Sequence, residues 1–276
     1  KYAKDVARHL GTDHTELYVT PEQAMDVIHK LPSFYDEPYA DSSQIPTFLV
    51  SQLARRHVTV SLSGDGGDEN FAGYNRYFLA DAIWRKIGWL PDSGKRISGN
   101  ILRRMAAMNF APLNWLEQLL PASHGRRAHG DGFIKAAELL KFNTQASLYQ
   151  RLISHWRNPE KFILKGKEPL TIFSNPVRRP AFSQFIRRMM YTDLISYLPD
   201  DILVKVDRAS MSVSLEARVP ILDHRVVEFA AHLPLSMLIR GKTGKHLLRN
   251  VLYKYVPQKM LERPKTGFGI PVGIWL

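Results

Sequence analysis

Val58-Thr59-Val60-Ser61-Leu62-Ser63-Gly64-Asp65-Gly66-Gly67-Asp68-Glu69 joins a short, β-branched apolar run to a turn of serine, glycine and acidic residues. Asn70-Phe71-Ala72-Gly73-Tyr74 follows directly. Such a run reads as a buried strand of a parallel sheet that ends in a site at its carboxyl edge. In open α/β sheets that edge is where ligands bind. Gly64, Gly66 and Gly67 allow close approach of the backbone to a ligand. Asp65, Asp68 and Glu69 crowd three negative charges into five positions. A hard cation such as Mg²⁺, which takes oxygen ligands, relieves that crowding. A capped strand–helix turn, with carboxylates accepting from backbone N–H groups, is the competing reading, and both stand on residue types alone. The common phosphate loop is excluded, because no lysine follows Gly66 or Gly67; the dinucleotide fingerprint and the EF-hand spacing are absent as well.

Working outward toward the N-terminus, residues 1–10 read as an amphipathic helix that ends near Gly11. Alternation over 14–19 predicts a strand. Thr20 then reads as an N-cap, with Pro21 at the first helical position and Gln23 at the capping-box position, opening a helix that runs to about residue 30. A polar loop over 31–43 carries Tyr35-Asp36-Glu37-Pro38, and a second helix covers 45–56 before the strand at 58–62. Strand, helix, helix, strand implies a parallel sheet with helices packed on it. Glu69 has a second reading as the first-turn residue of the helix that follows.

Beyond Tyr74 the pattern turns helical. A helix over 76–89 is broken at 91–93. Amphipathic segments then continue to residue 190, interrupted at Pro112, Pro121, Pro159, Pro169, Pro176 and Pro180, with no β-rich alternation. Residues 124–132, with two histidines, read as an exposed polar loop. Further helices are expected over 192–198 (ended by Pro199), 203–214, 225–232 and 245–255, and residues 263–270 form a loop that presents Lys265. Glu216 and Arg218 read as a buried pair that fixes a helix–loop corner. Asp207–Arg208 and Asp223–Arg225 read as structural ion pairs, and Met211, Tyr74 and Phe268 as core or pocket lining.

The 276 residues are 45% hydrophobic and 23% charged, enough for one large domain or two small ones. The absence of cysteine excludes disulfides, thiolate catalysis and cysteine zinc sites. A cytoplasmic setting is compatible with it. No apolar run approaches the roughly 18 residues that a membrane span needs. Charges interrupt the apolar residues of the first ten positions, which is not how a signal peptide reads. This opening in mid-helix, and an ending on Gly273-Ile274-Trp275-Leu276, give the reading of an excerpt from a longer protein. The formal charge is +12. Between residues 85 and 127, eight basic residues face only Asp92 and Glu117. Without interleaved aromatics or a known module, this reads as a solvated helical face rather than a nucleic-acid surface.

Ser63-Gly64-Asp65-Gly66-Gly67-Asp68-Glu69 with Phe71-Ala72-Gly73-Tyr74 resembles the SG[DE]G[SG]DE…F(G/A)GY signature of the glutamine-dependent asparagine synthetases. Glu216-Ala217-Arg218-Val219-Pro220-Ile221-Leu222-Asp223 resembles the family's EARVPFLD segment, and Arg263-Pro264-Lys265-Thr266-Gly267-Phe268 its C-terminal lysine segment. The three motifs occur in the family's order, and the resemblance runs the length of the chain. It implies an α/β fold: a parallel-sheet, adenine nucleotide alpha-hydrolase-like (ATP pyrophosphatase) core, incomplete at its start, with a large all-α portion. Residues 1–75 would be the nucleotide-binding part and 76–276 a helical part ending in the catalytic lysine loop. The family's Ser-Gly-Gly-x-Asp-Ser nucleotide loop and its glutaminase domain do not occur in these residues.

The activity implied is attack of the aspartate side-chain carboxylate on the α-phosphate of ATP, giving β-aspartyl-AMP and pyrophosphate, followed by displacement of AMP by ammonia derived from glutamine. By resemblance, Ser63 and Gly64 contact the nucleotide, with Gly66 and Gly67 beside them, and Asp68 holds Mg²⁺. Asp65 stands where the family commonly has glutamate, a position tied to the acyl-adenylate, and Lys265 stabilises charge at the α-phosphate. The implied partners are aspartate, ATP, ammonia and the N-terminal glutaminase domain of the same full-length chain; a homodimer stays open. Two rival readings are a relative that adenylates another carboxylate, including a β-lactam synthetase-like enzyme, and a non-catalytic basic scaffold.

Overall fold

A computed structural model of the chain describes residues 2–107, 137–154, 156, 161, 163–178, 181–262 and 270. Two compact units emerge: residues 1–74 with 190–276, and residues 75–189. Lys265 and the expected loop at 124–132 lie outside the described residues.

Helix α1 (Tyr2–Leu10) ends at Gly11, whose φ of +66° lets the chain leave the helix in the left-handed region. The strand expected over 14–19 does not form: this stretch has no ladder partner among the described residues, and Leu17, Tyr18 and Val19 are exposed. Alternation alone cannot make a strand where nothing lies alongside. Helix α2 (Pro21–Ile28) carries the expected capping box. Thr20 Oγ1 accepts from Gln23 N–H at 3.3 Å, and the Thr20 N–H donates to Gln23 Oε1 at 3.1 Å. Helix α3 (Gln44–Arg55) and strand β1 (Val60–Leu62) follow close to their expected places, and then a one-turn helix, α4 (Gly67–Asn70).

The second unit is built from α5 (Asn75–Ile87), α6 (Asp92–Ala107) and α7 (Gln145–Ile153), the last capped by Thr144. Its described residues contain no strand. Tyr77, Ala80, Leu148, Tyr149 and Met189 are among its buried residues, and Arg76 Nε donates to Tyr149 Oη at 3.1 Å.

Helix α8 (Phe185–Ile195) is followed by a π-helical turn (Leu198–Leu203), α9 (Val204–Met211) and strand β2 (Glu216–Arg218). Pro199 does not end a helix, as the sequence suggests. It lies in the first turn of the π-helical stretch, where a missing N–H leaves no bond unmade. Then come α10 (His224–His232), α11 (Leu235–Leu238), α12 (His246–Leu252) and α13 (Gln258–Leu261).

β1 and β2 pair in parallel, with Val60 opposite Glu216, Ser61 opposite Ala217 and Leu62 opposite Arg218. The expected buried corner at Glu216–Arg218 is therefore a strand. Its two side chains do pair, Arg218 Nε to Glu216 Oε1 at 2.7 Å, but in solvent. Arg208 also departs from expectation, pairing with Asp36 at 2.8 Å rather than with Asp207. Asp223–Arg225 forms as read, at 2.9 Å. Met211 is exposed rather than core. Ala24, Val27, Ile45, Phe48 and Ala209 form one core cluster of the first unit, so α2, α3 and α9 bury their apolar faces against one another. Helix-rich with a small parallel sheet, the chain is compatible with an α/β fold.

Candidate active site

Strand β1 hands directly into the acidic turn. The Ser63 N–H still donates to Arg218 O at 2.8 Å, which extends the ladder by one bond. From there the chain folds on itself. Ser63 Oγ donates to the Asp65 carboxylate, and the Asp65 N–H reaches Ser63 Oγ at 3.4 Å. Gly66 then takes a φ of +77°, and a Cβ there would stand 2.2 Å from Leu222 Cδ2, so glycine is required on both counts. Gly64 lies open to solvent.

The three carboxylates diverge. Glu69 is 2% exposed and accepts from Tyr74 Oη at 2.7 Å. Burial pushes its carboxyl above the usual range, against the Tyr74 hydroxyl and its own backbone N–H, and the charges of Asp68 and Asp193 add to the rise. Burial and the facing Glu69 charge raise the Tyr74 phenol in turn. Glu69 is thus turned inward in the first turn of α4. Asp68 points to the open side and pairs with Lys245 Nζ at 3.0 Å, both side chains partly exposed.

Lys245 escapes the sequence reading, which assigns it only to the start of a helix. It arrives at the turn through a close backbone crossing. Its N–H donates to Phe71 O at 2.8 Å, and both Ala72 and Lys245 have positive φ, at 55° and 56°. A Cβ on Gly244 would lie 1.8 Å from Ala72 O, so only glycine permits the crossing. The ammonium lies 3.8 Å from where a Cβ on Gly67 would be, close over the start of α4. The available signal was Gly241-Lys242-Thr243-Gly244-Lys245, a lysine set off by two glycines just before a helix.

Among the described residues no three histidine, aspartate or glutamate side chains converge as a ready metal centre. Mg²⁺ does not need one, since it is usually held by one or two carboxylates plus substrate phosphates and water. Asp68 on the open side fits that pattern, with Asp65 in the same turn, and the inward-turned Glu69 does not. The arrangement offers a nucleotide a glycine-lined turn, a serine hydroxyl, two accessible carboxylates and one ammonium. Among the described residues no helix is long and apolar enough to cross a membrane.

The family model for asparagine synthase matches residues 1–276. The chain belongs to the asparagine synthase family. It is 31% identical to asparagine synthetase [glutamine-hydrolyzing] 1 of Bacillus subtilis, over 99% of this chain and 40% of that protein. It is 22% identical to asparagine synthetase [glutamine-hydrolyzing] 3 of the same organism, over 94% of this chain and 34% of that protein. A 78-residue match to asparagine synthetase B of Escherichia coli reaches 35% identity, over 27% of this chain and 14% of that protein. The chain thus spans about two-fifths or less of the length of the curated relatives it matches.

Proposed function

We propose that this asparagine synthase family chain is the ATP-using part of a cytoplasmic, asparagine-forming ligase. The observation that carries the reading is the pairing of Asp68 and Lys245 over the glycine turn at the carboxyl end of β1. In the proposed reaction the side-chain carboxylate of aspartate attacks the α-phosphate of ATP. The Pα–O bond to pyrophosphate breaks, and β-aspartyl-AMP forms. Ammonia then attacks the acyl carbon and expels AMP. The ammonia would come from glutamine, through a glutaminase domain in the same longer protein.

Both reactants of the first step are anionic, so the site must supply positive charge where charge accumulates. Asp68 would hold Mg²⁺ on the pyrophosphate, where the ion offsets triphosphate charge. Lys245 has three N–H donors, so its ammonium can trade the Asp68 carboxylate for a phosphate oxygen. Ser63 and Gly64, first in the turn, would meet the nucleotide. Asp65, fixed by Ser63, would act at the acyl-adenylate, and Lys265 would bring a second ammonium to the α-phosphate.

The test uses the full-length protein. Pyrophosphate release from Mg·ATP is followed with aspartate and ammonia, for wild type, Lys245→Ala and Lys265→Ala. Release that requires aspartate and falls by about a hundredfold in each variant is the expected result. Release indifferent to aspartate would redirect the adenylation to another carboxylate, and no release with any acid would sink the reading.

A further inference from the structure

Within the helical unit of residues 75–189, a cavity of about 390 Å³ is lined by α6, from Asp92 to Arg103, and by residues of the 137–143 segment. It shares no residue with the turn after β1. Its size falls in the range of small-molecule sites. Four cations line it, Lys95, Arg96, Arg103 and Lys141, against a single carboxylate, Asp92. Among the described residues none of the four is held in an ion pair.

Lys95 distinguishes this cavity from a merely solvated basic face. It is 3% exposed. Its ammonium donates to Phe142 O at 3.3 Å and stands 5.1 Å from the centre of the Trp84 ring. A carbonyl and an aromatic face each stabilise a cation, but neither supplies a countercharge. A charge taken this far out of water is costly unless an opposite charge shares the site. An anion in the cavity would supply it. Arginine forks match phosphate oxygens in pairs, and the two guanidinium groups here make phosphate a better fit than a lone carboxylate.

We propose that this cavity is a second ligand site, taking a small molecule that bears a phosphate or pyrophosphate group. The basic character of this part of the sequence, which the nucleotide turn does not use, is then the lining of a small-anion site. Lys95 supplies the buried charge that fixes the ligand. Arg96, Arg103 and Lys141 close on it from the rim and give the binding its dependence on salt.

Trp84 provides a local readout. The full-length protein is labelled with fluorotryptophan, and the Trp84 resonance is assigned by its loss in Trp84→Phe. Inorganic pyrophosphate and AMP are titrated separately without Mg²⁺. The expected result is a saturable shift of the Trp84 resonance. It should weaken by about tenfold or more in the double variant Arg96→Ala/Lys141→Ala, and persist in Lys245→Ala, which alters only the other site. Arg96 and Lys141 are exposed, so an unchanged thermal midpoint in the double variant excludes a folding effect. A shift with pyrophosphate alone assigns the site to a free inorganic anion, and a shift with AMP alone assigns it to a nucleotide. The proposal is overturned by the absence of a saturable shift with either probe, by a shift that survives the double substitution, or by one that Lys245→Ala abolishes.

Discussion

At Gly73 a methyl group would stand 2.1 Å from Asp68 Oδ1 and 2.2 Å from Lys245 Cε. Both obstacles are ends of side chains that can swing away, so the strain is relieved by pushing the ion pair apart rather than by moving backbone. Gly73→Ala is expected to cost only about 1 kcal/mol of stability. Pyrophosphate release by the full-length protein should fall by about tenfold or more, because the two side chains no longer converge. Thermal unfolding and a release assay on one preparation check the split; losses of matching size would make the pair structural only. The neighbouring carboxylates separate by the same logic. Asp68→Asn should shift the Mg²⁺ dependence of release toward higher concentration by about tenfold or more. Glu69→Gln, which keeps an acceptor for Tyr74, should leave that dependence in place. A Glu69→Gln protein with Asp68→Asn behaviour would return Glu69 to the metal.

The elements hold this turn through contacts that differ greatly in how far they reach along the chain. The loop before α3 is tied to α9 by Lys205. Its ammonium lies 2.8 Å from Asp41 Oδ2 and 2.8 Å from Ser43 Oγ, while Tyr39 Oη donates to the Asp201 carbonyl at 2.7 Å and to its carboxylate. Burial pushes the Asp41 carboxyl up, but the Lys205 ammonium and the Ser43 donors outweigh it, so the group sits below its ordinary range. Asp41 therefore gives up its proton more readily folded than unfolded. Its contribution is complete above the unfolded value, near about pH 4, and is lost as the pH falls through the lower folded value. Lys205→Met should cost about 2 kcal/mol at neutral pH, since a half-buried carboxylate loses its cation. The variant should also show a flatter acid limb than wild type in denaturant unfolding between about pH 4 and pH 2. An acid limb as steep as that of wild type would remove Asp41 from the account. Local signals of this kind were readable in advance. The capping box at Thr20 and Gln23 needs only four adjacent residues, and the turn after β1 announces itself by composition. β2 was not readable, because Glu216-Ala217-Arg218 is too short to alternate and becomes a strand only beside β1. Lys245 was hidden for a related reason: its place over the turn comes from the backbone crossing at Ala72 and Gly244, which no local pattern encodes.

At the scale of the whole molecule, the sheet raises the question of what the described chain can do by itself. Among the described residues β1 has one partner, β2, and Val58, Val60 and Leu62 are exposed to 44%, 37% and 74%. Strands of a parallel sheet in an α/β protein are covered on both faces, whereas these apolar side chains, two of them in β1, are left open. The matched relatives have more than twice the length, and the Ser-Gly-Gly-x-Asp-Ser segment that the family resemblance places before the first helix is absent from these 276 residues. If that segment supplies backbone donors to the triphosphate, Asp68 and Lys245 are only half of the charge-handling machinery. The 276-residue chain, given Mg·ATP, aspartate and free ammonia, is then expected to release pyrophosphate at least about a hundredfold more slowly than the full-length protein under the same conditions. Free ammonia makes the comparison fair, because it removes any need for a glutaminase. A truncated chain as fast as the full-length protein would mean that the turn after β1, with Lys245 above it, carries the adenylation unaided. A slow chain restored by co-expression with the remainder of the protein would place the missing charge in the segment that completes the sheet.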